Sequence, residues 1–283
     1  MRTRFVWATD IHLDVLEAVA GPDAVIDFIH SLNGPSPAFV VLTGDISIAP
    51  DLPRHLTLIE TIVKCPVYFV CGNHDYYDGS FRAVRRLLSR RTTDSKTLRY
   101  MTLSGPVDVS EGSILVGHDG WYDAYHGDAL GSNVLMNDWI KISDFANAGV
   151  VSRGIYGGLT PKIPTVISIA RKAAYEAAEH VRVNASAAAK MKNSVLIMTH
   201  VPPWPMAHDP QSMKGSPSAI PWYSSKLMGD AIESVAAENP SVKFNVLCGH
   251  THNGVSSSIT SNITCHVGSS EYGSPQFNTV EIP

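Results

Sequence analysis

Five short fragments of this sequence carry side chains that bind metal ions: Asp10-Ile11-His12, Gly44-Asp45, Gly72-Asn73-His74-Asp75, Thr199-His200 and Gly249-His250-Thr251-His252. One such fragment means little, because a His or Asp near a strand end is more often a cap or a solvated side chain. Together, following apolar runs, they describe a site. Asp10, His12, Asp45, Asn73, His200, His250 and His252 offer carboxylate, amide and imidazole donors and no thiolate. That set suits Mn, Fe or Zn and disfavours a Cys-rich structural zinc. Seven donors exceed what one tetrahedral ion takes. A single carboxylate bridging two ions about 3.5–4 Å apart would use them all, and such a pair clamps a phosphoryl group while making hydroxide from bound water at neutral pH.

The spacing supports convergence. Asp10 and His12, like His250 and His252, are one residue apart. In an extended segment such side chains share a face, so both members of each pair are expected to reach one metal cluster. Gly44, Gly72 and Gly249 each precede a candidate ligand, where the missing Cβ lets the backbone turn and approach closely.

The elements that must position these residues begin as an α/β pattern. Phe5–Thr9, Ala38–Thr43 and Val67–Cys71 read as buried strands, and Asp23–Leu32, Leu52–Val63 and Ser80–Ser89 as helices between and after them. Strands alternating with helices of about 10–15 residues indicate a parallel sheet covered by helices. Shorter apolar runs follow at Leu98–Leu103, Val107–Val109 and Ile114–Gly117. An irregular stretch then holds a short helix around Asn137–Ala148, and Ile163–Met191 reads as one long Ala-rich helix. Val195–Met198, a Pro-rich loop, helix Lys226–Ala237 and strands Phe244–Cys248, Val255–Thr260, Thr264–Val267 and Asn278–Ile282 complete the chain. Every chemical fragment sits at the carboxyl end of a strand, where open α/β sheets place their ligand sites.

The chain has 283 residues, 44% of them hydrophobic and 17% charged, as in ordinary globular proteins. With no internal repeat or linker, a single domain over 1–283 with two packed sheets is expected. The first residues lack the roughly 7–15 apolar residues of a signal peptide, and no run reaches the roughly 18 needed to span a membrane, so the expected setting is soluble, cytoplasmic and without membrane contact. Cys65, Cys71, Cys248 and Cys265 show no CxxC spacing and are expected to be reduced and structural. A net charge of −4 argues against a protein built to grip nucleic acid, and the run Arg82–Arg91 reads as a solvated helix face.

In order, DxH, GD, GNHD, a lone His after an apolar strand, and GHxH resemble the five motifs of the calcineurin-like metallophosphoesterases. The resemblance spans Asp10 to His252. It implies a four-layer α/β/β/α sandwich of two mixed sheets flanked by helices. It implies that Asp10, His12 and His252 hold one metal ion, that Asn73, His200 and His250 hold a second, and that Asp45 bridges the two. His74 would be the catalytic residue that donates to the phosphate or leaving oxygen, with Asp75 orienting it. The implied activity is phosphoester hydrolysis, a metal-bound hydroxide attacking phosphorus in line.

Substrate readings follow from departures and loops. The text after Asp45 is not the GDxVDRG of the protein-phosphatase branch, and His74 stands where lipid A hydrolases usually carry Arg. Tyr76-Tyr77 replaces the Arg often found after GNHD in cyclic-nucleotide phosphodiesterases, and neither the capping region nor the basic groove of the nucleases is evident. A small phosphorylated substrate, monoester or diester, is the expected partner. The alternatives are a cyclic-nucleotide phosphodiesterase or nuclease of the same family, and outside catalysis an interaction scaffold with an eroded site. Loops 118–163 and 201–225 are expected to form the substrate pocket. His118, Trp121, Tyr122 and Trp204 are its candidate contacts, with Tyr125, His126, Trp139, Lys214, Trp222 and Tyr223 nearby in sequence. Aromatic residues there fit either stacking on a substrate ring or packing of the loops.

Overall fold

The apolar runs alternate in the layer they face. In strand β1 (Thr3–Ala8), Phe5 and Trp7 point into one core while Val6 and Ala8 point into another. A strand buried on both faces is what a sheet sandwiched between layers requires. The computed structural model describes residues 2–34, 36–153, 158–206 and 216–283. Its further strands are β2 (Val40–Thr43), β3 (Val67–Val70), β4 (Leu98–Tyr100), β5 (Val107–Asp108), β6 (Ser113–Gly117), β7 (Val151–Arg153), β8 (Leu159–Pro161), β9 (Ser194–Met198), β10 (Lys243–Cys248), β11 (Asn253–Ser258), β12 (Ile263–Ser269) and β13 (Phe277–Ile282).

Two mixed sheets result. The first has the order β13-β1-β2-β3-β4, parallel from β1 to β4, with β13 antiparallel at its edge. The second has the order β11-β12-β10-β9-β6-β5, with a parallel centre and antiparallel edge strands β11 and β5. Strands β7 and β8 pair separately.

Phe5, Trp7, Val41 and Val70 of the first sheet meet Leu115, Leu196, Met198 and Leu247 of the second, forming the middle core. The outer face of the first sheet packs on helices Pro22–Ser31, Leu52–Ile62 and Phe81–Thr93 through Val25, Ile29, Leu56, Ile59, Val84 and Leu88. The outer face of the second packs on helices Ile163–Ala189 and Lys226–Glu238 through Ala177, Val181, Ala185, Ile232 and Val235. The layers are therefore helix, sheet, sheet, helix. The long helix bridges both outer cores, since Ala170 and Ala174 join the first and Ala177 onward the second.

Three local expectations change. Helix Leu13–Ala20, which follows His12 directly, is too short for the sequence pattern to reveal. The run Leu98–Leu103 leaves the sheet at Tyr100 and closes as a single turn, Met101–Leu103. The helix expected near Asn137–Ala148 is two single turns, Asp138–Lys141 and Ser143–Ala146, separated by the extended backbone of Ile142. All four cysteines are free thiols. No described helix is long and apolar enough to cross a membrane.

Candidate metal centre

Strands β1, β2 and β3 run parallel in one sheet and β9 and β10 in the other, so the five chemical fragments leave their strands at one end of the sandwich. Ligand atoms of Asp10, His12, Asp45 and His252 all lie within 4.8 Å of one another. Beside them, Asn73 Oδ1 lies 3.1 Å from His200 Nε2 and 3.0 Å from His250 Nδ1. Asp45 stands between the groups. Its Oδ2 is 3.7 Å from His12 Nε2 and its Oδ1 is 3.4 Å from His200 Nε2.

The backbone, not an extended strand, aims these side chains. Asp10 (φ 50°), His12 (φ 38°), Asp45 (φ 51°), His250 (φ 69°) and His252 (φ 63°) all take the left-handed conformation. Each such residue costs of order 1 kcal/mol or more and persists only where its surroundings impose it. The expectation that i and i+2 share a face of extended chain is thus corrected. His250 and His252 turn to different groups, the first to Asn73 and the second to Asp10, 3.1 Å from its Oδ1.

Backbone approach is equally tight. A Cβ on Gly249 would lie 2.0 Å from Thr9 Oγ1 and 2.2 Å from Asp10 Oδ2, so only glycine leaves room for the Asp10 carboxylate. That carboxylate also accepts the His250 backbone N–H and the Thr9 hydroxyl. The histidines are oriented from behind: His200 Nδ1 faces the Thr43 carbonyl at 2.9 Å and His250 Nε2 faces the Trp222 carbonyl at 3.2 Å. A ring nitrogen that donates to a carbonyl leaves the other nitrogen as a free lone pair for a cation.

Electrostatics show the same demand for positive charge. Burial alone disfavours the His200 cation, yet Asp45 and Asp10 outweigh it and lift this imidazole to about 10. Burial also works against the Asp10 carboxylate, but the His252 contact and the His200 charge hold it at about 2. Burial pushes His12 down to about 4 and, together with His200, His250 down to about 3, keeping both neutral, the form in which an imidazole can ligate a metal. Both ring nitrogens of His12 are buried and have no hydrogen-bond partner among the described residues. An orphaned imidazole facing two carboxylates fits a bound cation.

The matching family model is that of the calcineurin-like phosphoesterases, over residues 3–254. The chain belongs to the calcineurin-like phosphoesterase family. Metal-dependent phosphoester hydrolysis is the activity this membership carries, and the buried Asp and His cluster fits a metal centre. Among solved structures, the phosphopantetheinyl hydrolase of Mycobacterium tuberculosis shares the fold, with a TM-score of 0.61 and 15% identity over 96% of this chain and 90% of that one. A dimetal phosphatase from Danio rerio does so with a TM-score of 0.53 and 16% identity over 94% and 86%. No curated protein matches the sequence.

Beside this Asp and His cluster lies a cleft of about 720 Å³, lined by Asp45, Asn73, His74, His250 and His252, by Tyr77, Tyr223 and Tyr272, and by the segment Asn133 to Asn137. The His74 ring lies between Tyr77, at 4.3 Å, and His12, at 4.5 Å. Its backbone N–H donates to Asp45 Oδ1. Tyr272 stacks near His12 and His252, and Tyr223 near His250. Sequence reasoning missed Tyr272 and Asp138. The first follows no motif, and the second sits in the irregular segment, where nothing marks it as buried.

The residues expected to touch substrate lie elsewhere. His118 is buried beside His180, with its Nδ1 accepting the Gly120 N–H. Trp121 packs on Phe81, and Tyr122 accepts the Trp139 indole N–H, both within the first outer core. Trp204 donates to Glu233 and packs on the second outer core. None of the four lines the cleft. Their apolar bulk is used to fasten loops onto the helices. Lys214 lies outside the described residues. Asp75 differs as well: instead of reaching the His74 ring it accepts the backbone N–H groups of Ile46, Ser47 and Gly72, tying the loop after β2 to the loop after β3.

Proposed function

We propose that the chain hydrolyses a phosphoester at a two-ion centre in which Asp10, His12 and His252 hold one ion, Asn73, His200 and His250 the other, and Asp45 bridges them. The observation that carries this reading is the Asp45 carboxylate, whose two oxygens face His12 and His200 on opposite sides. Ions bound there, whether Mn, Fe or Zn, would supply Lewis acidity and a nucleophile at neutral pH.

The chain's own residues supply the rest. His74 lines the cleft beside Asp45, placed to donate to a phosphate oxygen or to the departing oxygen. Asp75 fixes the two loops that carry Asp45 and Asn73. The complete donor set favours an enzyme over a scaffold. The described cleft lining holds three tyrosines and no Lys or Arg, which supports an ester with a sizeable organic group over a phosphate ester of a small alcohol. The test is the rate on p-nitrophenyl phosphate and on its bis-ester with Mn²⁺ and after chelation. Hydrolysis that vanishes with chelator supports the reading, and equal rates with and without metal contradict it.

A further inference from the structure

Asn73 ligates a cation only if its amide oxygen, not its NH₂, faces the two histidines, and nothing in Asn73 itself enforces that choice. The two ends of the amide are nearly the same shape. A neighbour has to set the orientation.

The neighbour is Asp138, a fully buried carboxyl from the irregular segment. Its Oδ1 accepts the Asn73 Nδ2 at 2.8 Å and the Tyr77 hydroxyl at 2.8 Å, and that hydroxyl in turn accepts the Asn73 Nδ2 at 3.0 Å. Both donors converge on one oxygen, so Oδ1 accepts whichever protonation state the carboxyl holds. The NH₂ of Asn73 is thereby used up on the Asp138 side. Its Oδ1 is left facing His200 and His250.

The segment that carries Asp138 is itself stitched to the Asn73 loop. Asp78 donates its N–H to the Lys141 carbonyl at 2.9 Å, and Ser143 donates to the Gly79 carbonyl at 2.8 Å. Residues Asn133 to Asn137, immediately before Asp138, line the cleft. One carboxyl therefore joins the cleft wall to the metal centre.

Resting on the reading of Asn73 as a ligand, we propose that Asp138 is a positioning residue that locks the Asn73 amide in the single orientation able to bind the second ion. Flipped, the amide would point two N–H groups at a cation and repel it.

The test is calorimetric titration of Mn²⁺ into metal-free wild type, Asn73→Ala, Asp138→Ala and Asp138→Leu, with circular dichroism to confirm folding. Removing the partner that orients a ligand typically costs about 10–100-fold in metal affinity. Asp138→Ala is expected to bind one ion with wild-type affinity and the second that much more weakly. Two ions at wild-type affinity, or equal weakening of both, overturns the proposal. Asn73→Ala separates the levels: loss of the second ion supports the ligand reading, and retention of both overturns that reading and this proposal together. If Asp138→Ala does not fold, Asp138→Leu, which keeps the bulk but offers no acceptor to the Asn73 Nδ2, decides. A second-site affinity below wild type supports the lock, and an unchanged one refutes it.

Discussion

Gly72 lies so close to Asp45 that a Cβ on it would sit 2.1 Å from Asp45 Oδ1 and 2.5 Å from the Asp45 backbone nitrogen. The Asp45 carboxylate and the loop after β3 therefore share a space that no side chain can enter. Gly72→Ala must move Asp45, with His200 Cε1 only 2.6 Å from the same point. We expect this variant to keep most of the fold, to lose bound metal, and to lose activity by about 100-fold or more, the scale of a misplacement near 1 Å. Metal analysis beside a thermal melt checks it; unchanged metal content would refute the steric argument.

His74→Ala should separate binding from chemistry. The side chain lines the cleft but contributes only its backbone N–H to Asp45. Metal content is expected to stay at the wild-type level while kcat falls by about 10²–10⁴-fold, the usual worth of a positioned acid. Full turnover in a metal-replete variant would remove His74 from the mechanism.

Asp75→Ala should act on stability. Three buried backbone N–H groups, of Ile46, Ser47 and Gly72, lose their acceptor. Leaving buried donors unpaired costs about 1–3 kcal/mol each, so a loss of about 3 kcal/mol or more is expected in denaturant unfolding of the metal-free protein. A residue that merely oriented the His74 ring would leave that stability nearly unchanged and alter the pH profile of kcat instead.

Much of this was legible in the sequence, for physical reasons that also explain the remainder. Asp10, His12, Asp45, Asn73, His200, His250 and His252 could be grouped as candidate ligands because each follows an apolar strand, and parallel strands deliver their ends to one place. The strands themselves were found because β9 and the Phe5–Ala8 part of β1 are buried on both faces and read as unbroken apolar runs. The left-handed backbone at Asp10, His12, Asp45, His250 and His252 was not legible, since Asp and His favour that conformation far more weakly than Gly does. The aromatic residues Trp121, Tyr122 and Trp204 drew attention as loop residues, but large rings in loops bury themselves when a helix face is available. Asp138 and Tyr272 depend on tertiary contacts alone.

Acid should weaken the fold through His118. Burial, reinforced by Arg85 and His180 against the opposing pull of Asp119, lowers its imidazole to about 3, and its Nδ1 accepts the Gly120 N–H. The unfolded chain takes up this proton near pH 6.5, whereas the folded chain resists it until about pH 3. Stability is therefore full above pH 6.5 and declines as pH falls toward 3, at about 1.4 kcal/mol per pH unit per retained proton difference. In metal-free protein His118→Gln should flatten that decline by one proton. An unchanged slope between the two proteins would contradict the assignment.

We expect hydrolysis to need two ions joined by Asp45. Stepwise addition of Mn²⁺ to the metal-free enzyme, with bound ions per chain and the p-nitrophenyl phosphoester rate followed together, tests it most directly. Activity is expected to emerge as occupancy passes from one ion to two, and Asp45→Asn is expected to bind both ions poorly and stay inactive. Full activity at one ion per chain, or no phosphoester hydrolysis with two ions bound, would contradict it.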